Sequence, residues 1–238
     1  IIMHTLSQTT EWLHAFGTLF YPHLCAGCGS NNIASDEAIC HHCIAHFPVT
    51  GFENQTGNPI EKLFWGRIPV TAASSQFYFT RSSTIQNALH SLKYKSNKEA
   101  GIVMGRLLGY SLKQSNRFRN IDLIVPLPLY PKKEKSRGYN QAKIIATGMQ
   151  EVLNVPVITD AIARIKYTDS QTHKNRIDRW KNVGDVFSLQ KPDLLKGKNI
   201  LLTDDVITTG ASLEACGETI CKAEIGALYI ATLAFSDQ

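Results

Sequence analysis

From Asn199 the chain reads NILLTDDVITTGASL: an apolar strand, two adjacent acids, then a short loop of hydroxyls and glycine that leads into a helix. Few architectures accept such a segment. A buried strand that feeds directly into a helix belongs in a parallel sheet covered on both faces, and acids at its carboxyl end stand where open α/β sheets bind ligands. Asp204 and Asp205 are therefore candidate catalytic residues, with oxygens able to accept hydrogen bonds from a ribose diol. The loop Thr208, Thr209, Gly210, Ala211 and Ser212 can turn its N–H groups and hydroxyls around a phosphate. Gly210 allows close approach, and the helix N-terminus favours negative charge. The plainer alternative is a pair of acids that only caps the next helix. That role suits one acid better than two followed by Thr-Thr-Gly-Ala-Ser.

The rest of the chain repeats the strand–helix alternation. Strands are expected over Val70 to Phe79, Asp122 to Val125, Pro156 to Ile158, Val186 to Leu189, Lys198 to Thr203 and Ala227 to Leu233. Helices are expected over Thr84 to Lys95, Glu99 to Gln114, Tyr139 to Leu153, Lys174 to Lys181 and Ala211 to Lys222. A mostly parallel sheet flanked by helices follows. A second segment, VPLPLYPKKEKSRGYNQ from Val125 to Gln141, has the composition a pyrophosphate needs. Backbone N–H groups near Pro126 and Leu127 would face the anion where proline does not block them. Lys133 and Arg137 offer charge-assisted donors, and Gly138, Asn140 and Gln141 complete the candidate segment. A basic turn before a helix is usually solvated surface. Its pairing with the acid loop reverses that reading.

The first four of six cysteines stand as Cys25-x2-Cys28 and Cys40-x2-Cys43. Each CxxC lets the chain fold back and present both sulfurs to one ion, so the two together supply a tetrahedral set for a structural Zn²⁺. His41 and His42 lie between the second pair and could substitute in a Cys₃His site, but are expected to face solvent. Cys216 and Cys221 are read as helix-packing residues. The N-terminus lacks a positive region and carries Glu11, so no signal peptide is expected, and cysteine usage points to the reducing cytoplasm. Trp12, Leu13, Phe16, Leu19 and Phe20 recur at helical spacing, which predicts a short amphipathic helix. No transmembrane segment is expected, since no apolar run reaches about 18 residues. The loop-like stretch from Phe47 to Ile68 marks the expected boundary between a small zinc-ribbon-like module, residues 1–66, and an α/β domain, residues 67–238.

A formal charge of +5 on 238 residues permits phosphate or nucleic-acid binding without requiring it. The sharper signal lies in the motifs. RGYNQ at 137–141, QTHKNRIDRWKNVGDVF at 171–187, LKYK at 92–95, DDVITTGAS and the double CxxC together resemble the ComF family of competence-associated proteins, over about Phe20 to Phe235. That family's pattern has RGFNQ, a Gln followed by an Arg and an Asn ahead of GxF, and DDVxTTGAT. Here Tyr139 replaces Phe and Ser212 the final Thr, keeping an aromatic ring and a hydroxyl; Gln171, Arg179, Asn182 and Phe187 match.

The resemblance implies a zinc-binding module on a type I phosphoribosyltransferase-like domain, with a role in taking up single-stranded DNA alongside competence-machinery proteins. The first functional expectation is an enzyme that binds 5-phosphoribosyl-1-pyrophosphate with Mg²⁺ and transfers the phosphoribosyl group to an acceptor. Gln171, Arg179 and Asn182 would then close over the site or contact that acceptor. The rival is a non-catalytic adaptor for single-stranded DNA with a sensory or vestigial ligand site. Trp65, Tyr94 and Trp180 near basic residues would suit base stacking in that case.

Overall fold

The computed structural model describes residues 23–94, 97–166 and 186–236. The first elements are α1 (His41–Ala45), α2 (Pro59–Lys62), β1 (Val70–Tyr78), α3 (Thr84–Tyr94) and α4 (Lys98–Gln114). There follow β2 (Leu123–Pro126), α5 (Pro131–Arg137), α6 (Gln141–Leu153), β3 (Ile162–Arg164) and β4 (Phe187–Leu189). The last are β5 (Asn199–Ile207), α7 (Ala211–Cys221) and β6 (Ala227–Phe235). The main sheet has the order β1-β6-β5-β2, and every neighbouring pair is parallel. This is the expected parallel sheet flanked by helices, with the cysteine module at its N-terminal end.

Burial on both faces explains the composition of the central strands. In β6 every residue after Ala227 is buried, so the strand reads as an apolar run broken only by Thr232 rather than an alternating one. On one face Leu201, Tyr229 and Ala231 meet Ile85, Leu89 and Leu92 of α3, Met104 and Leu108 of α4, and Ile145 and Met149 of α6. On the other, Leu202 and Ile230 meet Leu213, Cys216 and Ile220 of α7 together with Phe52, Ile60 and Phe64. Cys216 thus packs in the core as expected. Cys25, Ile39, Cys40, Cys43 and Phe47 share the first cluster with Phe77 and Ile85, so the cysteine module adds to an existing core.

Several boundaries differ from the sequence expectation. Residues 131–137 form a short helix where a basic turn was expected: Pro131 stands at its start, and Gly138 closes it at φ 82. Asn140 caps α6 by accepting from the Ala142 N–H, so the expected start at Tyr139 moves to Gln141. Val186 to Leu189 does not join the main sheet. Its residues 187–189 pair antiparallel with β3 in a separate hairpin. Around Pro156 to Ile158 a single bridge, Ile124 to Val157, extends the sheet past β2. The strand expected to stop at Thr203 continues through both acids to Ile207, because β6 offers it partners as far as Phe235. The expected helices at Trp12 to Phe20 and Lys174 to Lys181 lie outside the described residues. Among the described residues no helix is long and apolar enough to cross a membrane.

One contact carried no obvious signal in the apolar pattern. Gly101, Gly105 and Gly109 line the face of α4 that meets α6, and Gly148 answers them. A Cβ on Gly105 would stand 2.2 Å from the Ile145 carbonyl oxygen, and one on Gly148 the same distance from that of Ile102. The backbones touch, so no side chain fits. Gly148→Ala should therefore lower stability by about 2 kcal/mol or more despite the better helix propensity of alanine. Gly109→Ala, whose Cβ would meet Val152 at 3.1 Å, should change stability far less. Urea denaturation of both variants checks this, and a Gly148→Ala protein as stable as the parent would refute backbone contact.

Candidate functional site

β5 outruns its neighbour. The last β2 pairing is Pro126 with Thr203, followed by a Leu127 N–H that donates to the Thr203 carbonyl at 2.8 Å. Beyond this point β5 keeps β6 on one side, with Asp204 opposite Thr232. Adjacent strand residues point to opposite faces, so the two acids enter different layers. Asp205, 8% exposed, turns toward α3, where the Lys93 ammonium sits 2.8 Å from its Oδ2. Asp204 turns toward α7 and the β3–β4 hairpin, into the field of Arg164, and its own charge is felt at Cys216. The Asp205 N–H donates to Asp204 Oδ1 at 2.8 Å.

The charges are strongly coupled. Burial, then the neighbouring Asp205 charge, pushes the Asp204 carboxyl up to about 7; the Asp205 N–H, Lys93 and Arg164 act against this. Burial works to lower Lys93, but its contact with Asp205 more than offsets it and the ammonium is held above its ordinary value. Lys133 moves down, first through burial and then through the nearby charges of Arg137, Arg164 and Lys93. Burial also lowers Arg164, against the pull of Asp204. Four cations thus converge on two carboxylates.

The loop after β5 lies at the surface: Thr208, Thr209, Ala211 and Ser212 are exposed and only Gly210 is buried. Gly210 has φ 74, and a Cβ there would stand 3.1 Å from the Phe64 ring, so glycine is required twice over. No side chain caps α7, which leaves the N–H groups of its first turn available to an anion. Arg67 pairs with Glu214 at 2.9 Å and ties this turn to the segment after α2.

The second candidate segment divides into two parts. Lys133 and Arg137 belong to the charge cluster. The other named residues hold the backbone: Gly138 ends α5, and Asn140 donates to the Leu127 carbonyl at 3.0 Å. Gln141, 2% exposed, accepts from Arg137 at 2.8 Å. The Tyr139 hydroxyl donates to the Leu92 carbonyl near the end of α3. The expectation of a free N–H at Leu127 needs correction, because that group is engaged by Thr203. Beside this segment a cleft of about 250 Å³ is lined by residues including Pro126, Pro128, Asn140, Lys143, Ile162 and Arg164. Gln171, Arg179 and Asn182 lie outside the described residues. Lys93 and Arg164 were not singled out as site residues from the sequence. For Lys93 the available signal was its place in the LKYK run; Arg164 stands in a short segment with no such mark.

The cysteine cluster forms a second centre. The sulfurs of Cys25, Cys28, Cys40 and Cys43 lie within 4.8 Å of one another. Cys25 to Cys43 measures 3.8 Å and Cys28 to Cys40 3.9 Å. A tetrahedron with Zn–S bonds of about 2.3 Å has edges of about 3.8 Å, so the four thiols fit the ion. The Cys40 N–H donates to Cys25 Sγ at 3.3 Å, and a Cβ on Gly27 would crowd Cys43 Sγ at 2.9 Å. His41 pairs instead with Glu37 at 2.8 Å, and His42 stacks on His46 at a centroid distance of 4.3 Å. Neither belongs to the four-sulfur set.

Comparison with known proteins adds relatives along most of the chain. No family model matches. Competence protein F of Haemophilus influenzae is 24% identical over 236 residues, 90% of this chain and 98% of its own. DNA utilization protein YhgH of Escherichia coli K12 is 24% identical over 211 residues, 87% of this chain and 88% of its own. Among solved structures, a hypoxanthine phosphoribosyltransferase from Staphylococcus aureus aligns with a TM-score of 0.38 at 15% identity, over 66% of this chain and 73% of its own. That match is too loose to carry an argument about chemistry. The relatives span both the cysteine module and the parallel sheet, and together with the RGYNQ and DDVITTGAS motifs they support a ComF-family protein.

Proposed function

We propose that the protein binds 5-phosphoribosyl-1-pyrophosphate with Mg²⁺ at the end of β5 and transfers its phosphoribosyl group to an acceptor, in the service of DNA uptake. One observation carries this reading: four cations surround two acids beside an uncapped helix N-terminus, an excess of positive charge that a polyanion relieves. In this scheme the loop Thr208 to Ser212 holds the 5′-phosphate, Asp204 and Asp205 orient the ribose hydroxyls, and Lys133 and Arg137 hold the pyrophosphate as it leaves. Carboxylate oxygens at the strand end suit a hard cation, and bound Mg²⁺ would neutralise the leaving group. The relatives' names, a competence protein and a DNA utilization protein, support the setting, for which a cytoplasmic location is part of the proposal. The adaptor reading draws support from Trp65 and Tyr94, 62% and 66% exposed. Pyrophosphate release from the donor on addition of bases, nucleosides or DNA separates enzyme from adaptor.

Calorimetry with the donor and Mg²⁺ tests the site. Each Asp→Asn change removes hydrogen bonds to a charged group, typically about 1.5 to 3 kcal/mol, so the Asp204→Asn, Asp205→Asn double variant should bind at least about tenfold more weakly. Unchanged affinity would remove the acids from the donor site.

Proton linkage gives an independent check. Asp204 has a raised value when folded, so the folded chain retains a proton that the unfolded chain releases near the ordinary carboxylate range. Its stability contribution is full below the unfolded value and is lost as pH rises toward about 7. Asp204→Asn should thus gain stability over the parent near about pH 8, and gain less near about pH 4. Parental donor affinity should rise with pH through the neutral range, a rise absent from the variant. Denaturation and titration series read both effects, and parallel pH profiles for parent and variant would argue against a protonated Asp204.

For the cysteine centre, the purified protein should carry about one zinc per chain, held as a closed structural site. Metal analysis of a Cys25→Ser, Cys40→Ser variant should find it lost. Retained zinc would move the metal elsewhere.

A further inference from the structure

Lys93 stands apart from an ordinary surface lysine because its helix is fixed at both ends. At the start of α3, Asn87 Nδ2 donates to the Gly27 carbonyl at 2.9 Å, within the first cysteine knuckle. At its end, the Tyr139 hydroxyl donates to the Leu92 carbonyl, one residue before Lys93. Two motifs far apart in sequence thus clamp one short helix, and the side chain it delivers meets Asp205 at 2.8 Å. The pair is three-quarters or more buried, with side-chain exposures of 24% and 11%. Breaking a buried ion pair is unfavourable, and replacing one by apolar residues is often neutral, so stability alone gives weak reason to build it. The pair also occupies Asp205 Oδ2, one of the carboxylate oxygens the ribose hydroxyls would need. A lysine has a flexible four-carbon stem and three rotatable donors, so it can exchange one anion for another without moving its helix.

We propose that Lys93 is a ligand-binding residue: in the free protein it neutralises Asp205, and on binding it swings to a pyrophosphate oxygen beside Lys133 and Arg137, which frees Asp205 for the ribose hydroxyls. This rests on the donor-site reading above and adds a third cation to the pyrophosphate end. The exchange keeps the ammonium paired with an anion and gives the carboxylate hydrogen-bond donors in place of its cation. It also makes recognition of the sugar conditional on the anion, since Asp205 is released only when another negative group takes its place.

The test uses the full chain and three probes, each with Mg²⁺: the phosphoribosyl donor, inorganic pyrophosphate and ribose 5-phosphate. Lys93→Met should weaken pyrophosphate and the donor by about tenfold or more while ribose 5-phosphate, which then meets an Asp205 already freed, binds no more weakly, and Lys93→Arg should restore most of the loss. Because Lys93→Met leaves Asp205 buried without its partner, the same comparison is made on an Asp205→Asn background. There, adding Lys93→Met should again weaken pyrophosphate by about tenfold. Parental binding of all three probes with an unchanged pyrophosphate affinity in Lys93→Met would overturn the role of Lys93 and leave the donor site standing. An equal loss of all three probes would make Lys93 a structural residue. A parent that binds neither donor nor pyrophosphate would overturn the donor site and this role together.

Discussion

β5 has a long neighbour on one side and a short one on the other, and much of the site follows from that inequality. β6 keeps the strand extended through Asp204 and Asp205, while β2 stops at Pro126 and turns away into α5. Had both neighbours ended together, the acids would lie in a loop with freedom to face the same way. Held in a strand, they alternate, so one carboxylate meets the layer of α3 and the other the layer of α7 and the small hairpin. Each layer then answers with its own cation, Lys93 on one side and Arg164 on the other.

Such an arrangement is electrostatically expensive. Asp204 is held partly protonated near neutral pH by burial and by its neighbour's charge, while Lys133 is pressed down by burial and then by the cations around it. Groups of this kind weaken the folded state, and they gather where a ligand can relieve them. The surrounding scaffold is correspondingly tight. The glycine-lined crossing of α4 and α6 lets two backbones touch behind the charged end of the sheet, and Phe64 closes the space behind Gly210.

The cysteine module takes part in this scaffold. Its buried thiols share a core with Phe77 and Ile85, and Gly27 within its first knuckle accepts from α3. On the opposite face, Phe64 and Arg67 brace the start of α7. Segments from the N-terminal third of the chain therefore press on both helices that border the two acids. A composition shift near residue 66 marks where the pattern changes, while the packing runs across it without a gap.

The sequence by itself determined the elements that depend on local chemistry. A CxxC can only bring its sulfurs together, an apolar run before DD-TTGAS can only be a buried strand feeding a helix, and the alternation of periods implies a parallel sheet. It also singled out Lys133, Arg137 and the two acids, which the fold brings into one charge cluster. What it left open were matters of register and direction. That β5 outlasts β2 depends on pairings between segments far apart in the chain, and so does the opposite facing of the acids. The short helix from Pro131 and the separate pairing of Phe187 to Leu189 were missed for the same kind of reason, since a cap or a partner strand decided them rather than their own periodicity. Lys93 is the clearest case: a lysine late in an amphipathic helix looks like solvated surface until the fold brings Asp205, more than a hundred residues away, to within 2.8 Å of it. Tertiary structure alone decided that contact, because a charge–charge pairing is set by distance in space and leaves no period in the sequence.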